Sequence, residues 1–155
     1  MAVVRILVDG FSLLHAWRKL APDAPRHSSK ARDALVSILT QYRDAVSTPL
    51  TVIFDGGGAP PGTPKPISPD GVEILYSKKG QTADDLIERT AFRLKPYGEA
   101  LAVTNDHAER DTVIAMGGLA QSCEEFIREI EHALRERDEF VKKHNRRESS
   151  RYKRK

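Results

Sequence analysis

Residues 3–10 read VVRILVDG, a short apolar and β-branched run that ends in an Asp-Gly pair. Such a run is typical of a strand that is buried on both faces of a sheet. Three further runs have the same character, at residues 50–54 (LTVIF), 72–76 (VEILY) and 100–104 (ALAVT). A short fifth strand is predicted at residues 119–121. The spacing of these runs sets the architecture, because each pair of neighbouring runs is separated by a helical or turn-like segment.

Helical segments separate most of the predicted strands. Apolar residues recur at helical spacing from residue 30 to residue 45, and Thr82 is placed to begin a helix that reaches about Leu94. Residues 11–19 are predicted to form a short helix or a turn. Further helices are predicted at about residues 107–116 and from Ser122 onward, the last with an apolar seam of Phe126, Ile127, Ile130 and Leu134. Because strands that alternate with helices form parallel βαβ units, we expect an α/β fold with a mostly parallel sheet of four to five strands, covered on both faces and followed by a C-terminal helix.

Length and composition fit one folded domain. The chain has 155 residues, of which 39% are hydrophobic and 30% charged, and its mean hydropathy is −0.48. No apolar stretch approaches the ~20 residues of a transmembrane helix. Residues 56–71 hold five glycines and five prolines and are predicted to form a long surface loop. A single cysteine, Cys123, excludes an internal disulfide, a Cys-based zinc site and a CxxC motif, so we expect a cytoplasmic protein without a membrane or disulfide-linked partner.

The charge is distributed unevenly along the chain. The net formal charge is +3, but residues 135–155 contain ten Lys or Arg and four acidic residues, a net charge of +6 that leaves −3 on the remainder. A basic end of this kind is expected of a protein that binds a polyanion, and equally of a solvated helix end that frays into a tail. We therefore divide the chain into a globular domain, residues 1–134, and a basic helix end and tail, residues 135–155.

Five aspartates fall at one edge of the predicted sheet. Asp9, Asp55 and Asp106 each follow a strand closely, and Asp84 and Asp85 lie in the first turn of the helix that follows another strand. The carboxyl ends of parallel strands meet along one edge, where open α/β folds place their active sites. Crowded acidic groups need a cation to neutralise them, and hard oxygen ligands suit Mg²⁺ or Mn²⁺. The pattern therefore indicates a divalent metal site suited to phosphodiester hydrolysis.

The same aspartates also have structural interpretations. Asp106 has the spacing of a helix N-cap, and Asp85 that of the reciprocal acid in a capping box, which leaves Asp84 free to point elsewhere. Asp9 and Asp55 precede glycine, as turn residues do. Each interpretation is reasonable for one residue alone. The metal site is favoured because several separate segments deliver an acid to the same edge.

Several competing chemistries lack their motifs. The chain has no Gly-Lys-Ser/Thr of a phosphate-binding loop, and no GxGxxG follows a strand. Phe11 stands where a phosphatase of the haloacid dehalogenase type has its second aspartate. Neither a GxSxG nucleophile elbow nor an HExxH zinc motif occurs.

Four segments carry a resemblance to a known family. They read VDGFSLL at residues 8–14, VIFDG at 52–56, QTADDLIE at 81–88 and TND at 104–106. In this order they resemble the YacP-like NYN domain, a bacterial branch of the PIN-like ribonuclease superfamily, over about residues 3–134. The most specific part is the Thr-Ala-Asp segment with the Ile-Glu pair behind it. The resemblance implies a three-layer α/β/α fold of the PIN-like type and a ribonuclease that depends on Mg²⁺ or Mn²⁺.

The resemblance also implies roles for the acids. By position, Asp9, Asp84 and Asp106 match the metal-binding acids of the family, and Asp55 matches the acid that follows its second strand. We expect these four residues to be catalytic, with Asp85 beside them as a further metal ligand.

Candidate substrate contacts surround these acids. The family usually has Asp-Gly-Tyr-Asn after the first strand, and here Ser12 replaces the asparagine with a hydroxyl that donates and accepts hydrogen bonds. Lys78 and Lys79 precede the helix that carries Asp84, and Arg89 lies farther along it. Together with Asn105, these residues are predicted to bind the substrate, since basic side chains beside an acidic site hold phosphates without reading sequence.

The predicted function is that of a metal-dependent endoribonuclease that cleaves single-stranded or exposed RNA, in RNA turnover or in a translation-linked process that includes association with ribosomes. Phe11 and Trp17 either stack on unpaired bases or belong to the core. Two alternatives stay open, namely a catalytically weak RNA-binding module that uses the basic tail, and a small Mg²⁺-dependent phosphatase that uses the same acids.

Overall fold

The computed structural model describes residues 3–56 and 71–153, with side chains up to residue 149 at the C-terminal end. Its strands are β1 (Val3–Asp9), β2 (Leu50–Phe54), β3 (Glu73–Tyr76), β4 (Glu99–Val103) and β5 (Leu119–Gln121). Its helices are α1 (Gly10–Ala16), α2 (Ser29–Val46), α3 (Ala83–Leu94), α4 (His107–Ala115) and α5 (Cys123–Lys153). Positions 57–70, nearly all of the predicted Gly/Pro loop, lie outside the described residues.

The sheet is parallel throughout, with the strand order β3-β2-β1-β4-β5. β1 is central: its Val8 pairs with Val52 of β2 on one side and with Val103 of β4 on the other. The chain therefore builds the sheet outward in one direction and then in the other, and the order reverses beside β1. Ligands of open α/β folds bind at the carboxyl ends of the strands at such a reversal.

Helices cover both faces of the sheet. Alternate residues of β1 point to opposite sides, so that Ile6 and Val8 join one core and Leu7 joins the other. The first core also contains buried side chains of α1, α2 and α5, whereas the second contains those of α3 and α4, among them Ile87 and Val113. This arrangement confirms the predicted three-layer α/β/α fold. No helix in the described part of the chain is both long and apolar enough to span a bilayer.

The first and last helices bear on two of the predictions. α1 ends at Ala16, within the predicted segment of residues 11–19, and the Trp17 that follows it is only 6% exposed in the core. Trp17 is therefore a core residue and is not available to stack on a base. α5 runs unbroken to Lys153, so the predicted division at residue 134 falls inside a continuous helix and stays a prediction.

A single arginine stabilises the irregular segment between α1 and α2. The guanidinium of Arg26 donates hydrogen bonds to five backbone carbonyls, those of Leu14, Trp17, Leu20, Ala21 and Ala24. Buried carbonyls need such partners where no helix or sheet supplies them. Arg26 therefore fixes the path of the chain as far as His27, which lines the cleft described below.

Gly10 is required by close packing at the start of α1. A Cβ atom added at this position would lie 2.6 Å from Cδ1 of the Phe54 ring, which is itself fully buried. We predict that Gly10→Ala lowers the free energy of unfolding by roughly 1–3 kcal/mol, the usual cost of overpacking a core. Urea denaturation measures the change. Gly56→Ala is the control, because nothing lies within 4 Å of its added Cβ, and equal losses in the two variants would contradict the packing argument.

Candidate active site

A cleft of about 490 Å³ opens at the carboxyl edge of the sheet. Three of the predicted aspartates line it from three different segments: Asp9 at the end of β1, Asp55 after β2, and Asp84 in the first turn of α3. The other lining residues are Phe11, Ser12, His27, Gly56, Thr82 and Ala83. The fold thus brings together acids that are up to 75 residues apart in the chain, between Asp9 and Asp84.

Asp9 and Asp106 both cap helices at this edge. Oδ1 of Asp9 accepts a hydrogen bond from the backbone N–H of Ser12 at 3.3 Å, and Oδ2 accepts one from the hydroxyl of Thr104 at 3.5 Å. Oδ1 of Asp106 accepts a hydrogen bond from the backbone N–H of Glu109 at 3.2 Å. The capping interpretation is therefore confirmed for Asp106, but the cap uses a single carboxylate oxygen. Asp106 is exposed and its charge acts on Asp9 and Asp84, so it belongs to the same acidic cluster.

The neighbouring residues Asp84 and Asp85 have different environments. Oδ2 of Asp85 accepts a hydrogen bond from the backbone N–H of Thr82 at 3.1 Å, and the Thr82 hydroxyl accepts one from the N–H of Asp85. This capping box confirms the structural interpretation of Asp85. Asp84 is half-buried and faces the cleft instead. The metal-ligand role of Asp85 stays a prediction, with its carboxylate already engaged at the helix start.

Asp55 is oriented by a serine that sequence reasoning missed. The hydroxyl of Ser77, fully buried just beyond β3, donates a hydrogen bond to Oδ1 of Asp55 at 2.9 Å and accepts one from the N–H of Gly56 at 3.3 Å. The ends of β2 and β3 are thereby joined beside the cleft. Asp55 itself is exposed, which leaves it accessible to a ligand in the cleft.

Two glutamates extend the acidic cluster beyond the predicted aspartates. Glu109 of α4 is only 4% exposed, and its Oε1 has no hydrogen-bond partner among the described residues. Its carboxyl group hydrogen-bonds that of Glu88 on α3. The sequence does contain a signal for both residues, since Glu88 lies one helical turn after Asp84 and Glu109 lies three residues after Asp106.

Crowding and burial raise the pKa values of these acids. Burial raises the pKa of Asp9, and the nearby charges of Asp55 and Asp106 raise it further, against the hydrogen bonds that lower it. Burial and then the charges of Asp9 and Asp106 raise the pKa of Asp84 to about 6. For Glu109, burial and the hydrogen bond with Glu88 raise the pKa to about 9. In each case burial and the neighbouring acids disfavour the charged form of the carboxyl group.

The donor chemistry of the cluster fits a divalent cation. All the groups are carboxylates, which suit Mg²⁺ or Mn²⁺, and a cation would remove both the mutual repulsion and the isolation of the buried Glu109 oxygen. As the side chains stand, the described residues contain no group of three or more Asp, Glu, His or Cys placed to hold a metal ion. Binding a cation would therefore require the carboxylates to close around it.

Ser12 and Asn105 connect elements at the edge of the site. The Ser12 hydroxyl accepts a hydrogen bond from the backbone N–H of Asn105 at 3.0 Å, while Ser12 also lines the cleft. The Asn105 side chain accepts a hydrogen bond from the N–H of Cys123 at 2.8 Å and donates one to Glu124 at 2.9 Å. Both residues hold the β4–α4 turn against α1 and α5. Their roles in substrate binding stay predictions, and the Asn105 side chain is engaged at the start of α5.

Phe11 lines the cleft, whereas the predicted basic residues do not. Lys78 and Lys79 are exposed in the turn before α3, and Arg89 is exposed on α3, where it lines a separate groove. None of these three lines the cleft itself. Phe11 does line it, with its ring centroid 4.4 Å from that of His27, so an aromatic wall faces the acids.

Comparisons with known proteins show which sequences and folds this chain resembles. The sequence model of the YacP-like NYN domain family matches residues 6–155. A Bacillus subtilis (strain 168) protein described as "Uncharacterized protein YacP" is 30% identical over 139 residues, which cover 89% of this chain and 81% of that protein.

Two solved structures have a similar fold. The crystal structure of Rae1 (YacP) from Bacillus subtilis matches with a TM-score of 0.75 and 28% identity, covering 92% of this chain and 81% of that one. A single-substitution mutant of the same protein matches with a TM-score of 0.75 and 27% identity, covering 90% of this chain and 81% of that one.

The raised pKa of Glu109 predicts how stability depends on pH. Between its usual value of 4.5 and the value of about 9 in the folded state, the folded protein holds a proton that the unfolded chain has lost. Without divalent cations, this residue therefore makes the protein less stable as pH rises through that window. We expect Glu109→Gln, which removes the titration, to be more stable than the wild type at about pH 8 and to lose less stability between about pH 5 and pH 8.

Urea denaturation in EDTA at several pH values measures this difference. Glu139→Gln, on an exposed turn of α5, is the control and is expected to follow the wild type. The same decline with pH in Glu109→Gln as in the wild type would show that Glu109 is not an isolated buried acid.

Proposed function

Because the chain belongs to the YacP-like NYN domain family, whose PIN-like nuclease fold implies a nuclease-type hydrolase, we propose that it is a metal-dependent endoribonuclease. The observation that carries the proposal is the convergence of Asp9, Asp55, Asp84 and Asp106 at the carboxyl edge of the sheet. Beside them lies the buried Glu109, whose Oε1 has no hydrogen-bond partner among the described residues. Helix capping alone does not explain why these acids are clustered.

The residues proposed to hold Mg²⁺ or Mn²⁺ are Asp9, Asp84 and Asp106, with Glu109 supporting them from the buried side. When bound, a divalent cation supplies positive charge for the phosphoryl oxygens and lowers the pKa of an attacking water. Asp55, exposed and oriented by Ser77, is positioned to accept a proton or a hydrogen bond from a group in the cleft. Asp55 lines the same cleft as Asp9 and Asp84, which supports this role.

The proposed substrate is single-stranded or exposed RNA. The cleft is open and has an aromatic wall formed by Phe11 and His27, which suits unstacked bases. Lys78 and Lys79, exposed in the turn before α3, are available to phosphates that approach the acids. The single, buried Cys123 is compatible with a reducing compartment, and we place the activity in the cytoplasm, in RNA turnover or in a translation-linked process with ribosome association.

Asp84 and Asp85 provide a matched pair of variants. We expect Asp84→Asn to reduce RNA cleavage by more than about 100-fold, because loss of a ligand costs at least as much as loss of a supporting residue. Asp85→Asn should keep most of the activity, because its carboxylate serves the capping box. Cleavage of a labelled RNA in Mg²⁺ or Mn²⁺ measures both effects, and circular dichroism checks that both variants are folded.

The same assay includes removal of the metal. EDTA should abolish cleavage by the wild type, and added Mn²⁺ or Mg²⁺ should restore it. Cleavage that survives EDTA, or that is equal in Asp84→Asn and the wild type, would contradict the proposal.

The second candidate function is an RNA-binding module, and the shape of α5 favours it. From residue 138 to residue 149 every side chain except Glu148 is exposed, so this part of the helix projects from the body. It carries the cations Lys142, Lys143, Arg146 and Arg147, and basic residues on a projecting helix are an electrostatic footprint for nucleic acid.

Truncation after Arg137 separates the two candidates. The packed part of α5 would remain, because the Arg137 side chain donates a hydrogen bond to Gln41 on α2 at 3.4 Å. We expect the truncated protein to bind RNA more weakly and with a smaller salt dependence, since it loses phosphate contacts, yet to keep metal-dependent cleavage. Fluorescence anisotropy over a range of salt concentrations measures the binding. If the wild type binds RNA but never cleaves it, and truncation removes the binding, the module is the correct description.

A further inference from the structure

The outer surface of α3 carries a groove that is separate from the cleft. It has a volume of about 280 Å³ and is lined by Glu88, Arg89, Phe92, Arg93 and Met116. Phe92 is 66% exposed, although a phenylalanine side chain is stabilised by burial. Apolar surface exposed in a concave site with polar neighbours is typical of a binding surface.

The groove and the acidic cluster are linked along α3 by Glu88. Asp84, Glu88 and Phe92 are spaced four residues apart on α3, so their side chains lie one above the other along a single row. Eight residues of helix separate the first from the last, a rise of about 12 Å. Glu88 belongs to both sites, because it hydrogen-bonds Glu109 in the cluster and also lines the groove. A chain-like ligand that is bound at the acids and extends along α3 therefore reaches Phe92.

The charges around Phe92 suit a polyanion. Arg89 and Arg93 flank it on α3, and both are exposed. Among the described residues, neither guanidinium has an ion-pair or hydrogen-bond partner, so both are available to an external group. An exposed aromatic ring between free arginines combines the two elements of single-strand recognition, a face on which bases stack and cations that follow the phosphates.

We propose that this groove is a base-stacking subsite for a single-stranded RNA, in which a base beside the cleaved phosphate stacks on Phe92 and the adjacent phosphates contact Arg89 and Arg93. The proposal rests on the proposed ribonuclease function and adds to it a second point of contact about 12 Å along α3 from Asp84. A double-stranded RNA would not satisfy the site, because its bases are already stacked and their faces are not accessible.

The test measures binding of a short, unstructured RNA by fluorescence anisotropy in EDTA, where no cleavage is expected. Phe92→Ala should weaken binding roughly 5- to 150-fold, the range for loss of one base–aromatic stack. Phe92→Trp should restore it, and Phe92→Leu, which keeps apolar area without an aromatic face, should not. Tyr97→Ala is the matched control, because Tyr97 is 78% exposed in the turn just after α3 but does not line the groove.

An abasic scan locates the stacked base. Removing one base at a time from the RNA should weaken binding to the wild type at several positions, and only one of these positions should have no effect in Phe92→Ala. This loss of sensitivity would identify Phe92 as the contact of that base, since the two changes remove the same interaction.

The outcomes separate this inference from the proposed function. If the wild type binds and cleaves RNA and Phe92→Ala does so equally well, the stacking subsite is wrong and the ribonuclease proposal stands. If the wild type neither binds nor cleaves RNA, both are wrong. If Phe92→Ala changes the sedimentation mass of the protein and leaves RNA binding unchanged, Phe92 belongs to a protein–protein contact and the subsite is again wrong.

Discussion

The structure depends on one electrostatic constraint, the crowding of carboxylates at the carboxyl edge of a parallel sheet. Parallel strands place the end of β1 and the segments that follow β2 and β4 at a common edge, and each of these places carries an aspartate. The start of α3 adds Asp84, and the buried side brings in Glu109. The raised pKa values of Asp9, Asp84 and Glu109 show that the fold does not compensate this charge within the described residues. A folded protein tolerates such a cost where a ligand relieves it.

Helix N-termini offset part of the cost of this arrangement. Asp106 caps α4 and Asp84 lies in the first turn of α3, where the helix dipole favours negative charge. Asp9 gains a backbone hydrogen bond by capping α1. Asp9 and Asp106 each use a carboxylate oxygen to cap a helix, while their charges act on the other acids of the cluster. Structural and functional interpretations of these acids are therefore compatible.

The sequence predicted the strands and helices of the fold well, but it did not predict the buried acid Glu109 of the site. β2 and β5 have their predicted bounds, because short apolar runs between turn residues leave little freedom. The different roles of Asp84 and Asp85 also followed from position, since only one of two consecutive residues can serve the capping box. Glu109 was missed as a buried acid because its burial depends on how α3 packs against α4, which no local pattern shows. The hydrogen bonds from Arg26 to five backbone carbonyls were missed for the same reason. The sequence does not show which carbonyls of an irregular segment come close to the guanidinium.

The most direct test of the central claim is to locate the cation. Crystals of the protein soaked in Mn²⁺ give an anomalous signal that identifies the ion without reference to any substrate. We predict Mn²⁺ within direct or water-mediated reach of Asp9, Asp84 and Asp106, with these side chains drawn together relative to the metal-free arrangement. Manganese that binds only at other surfaces, with the cleft acids unchanged at saturating concentration, would contradict the account.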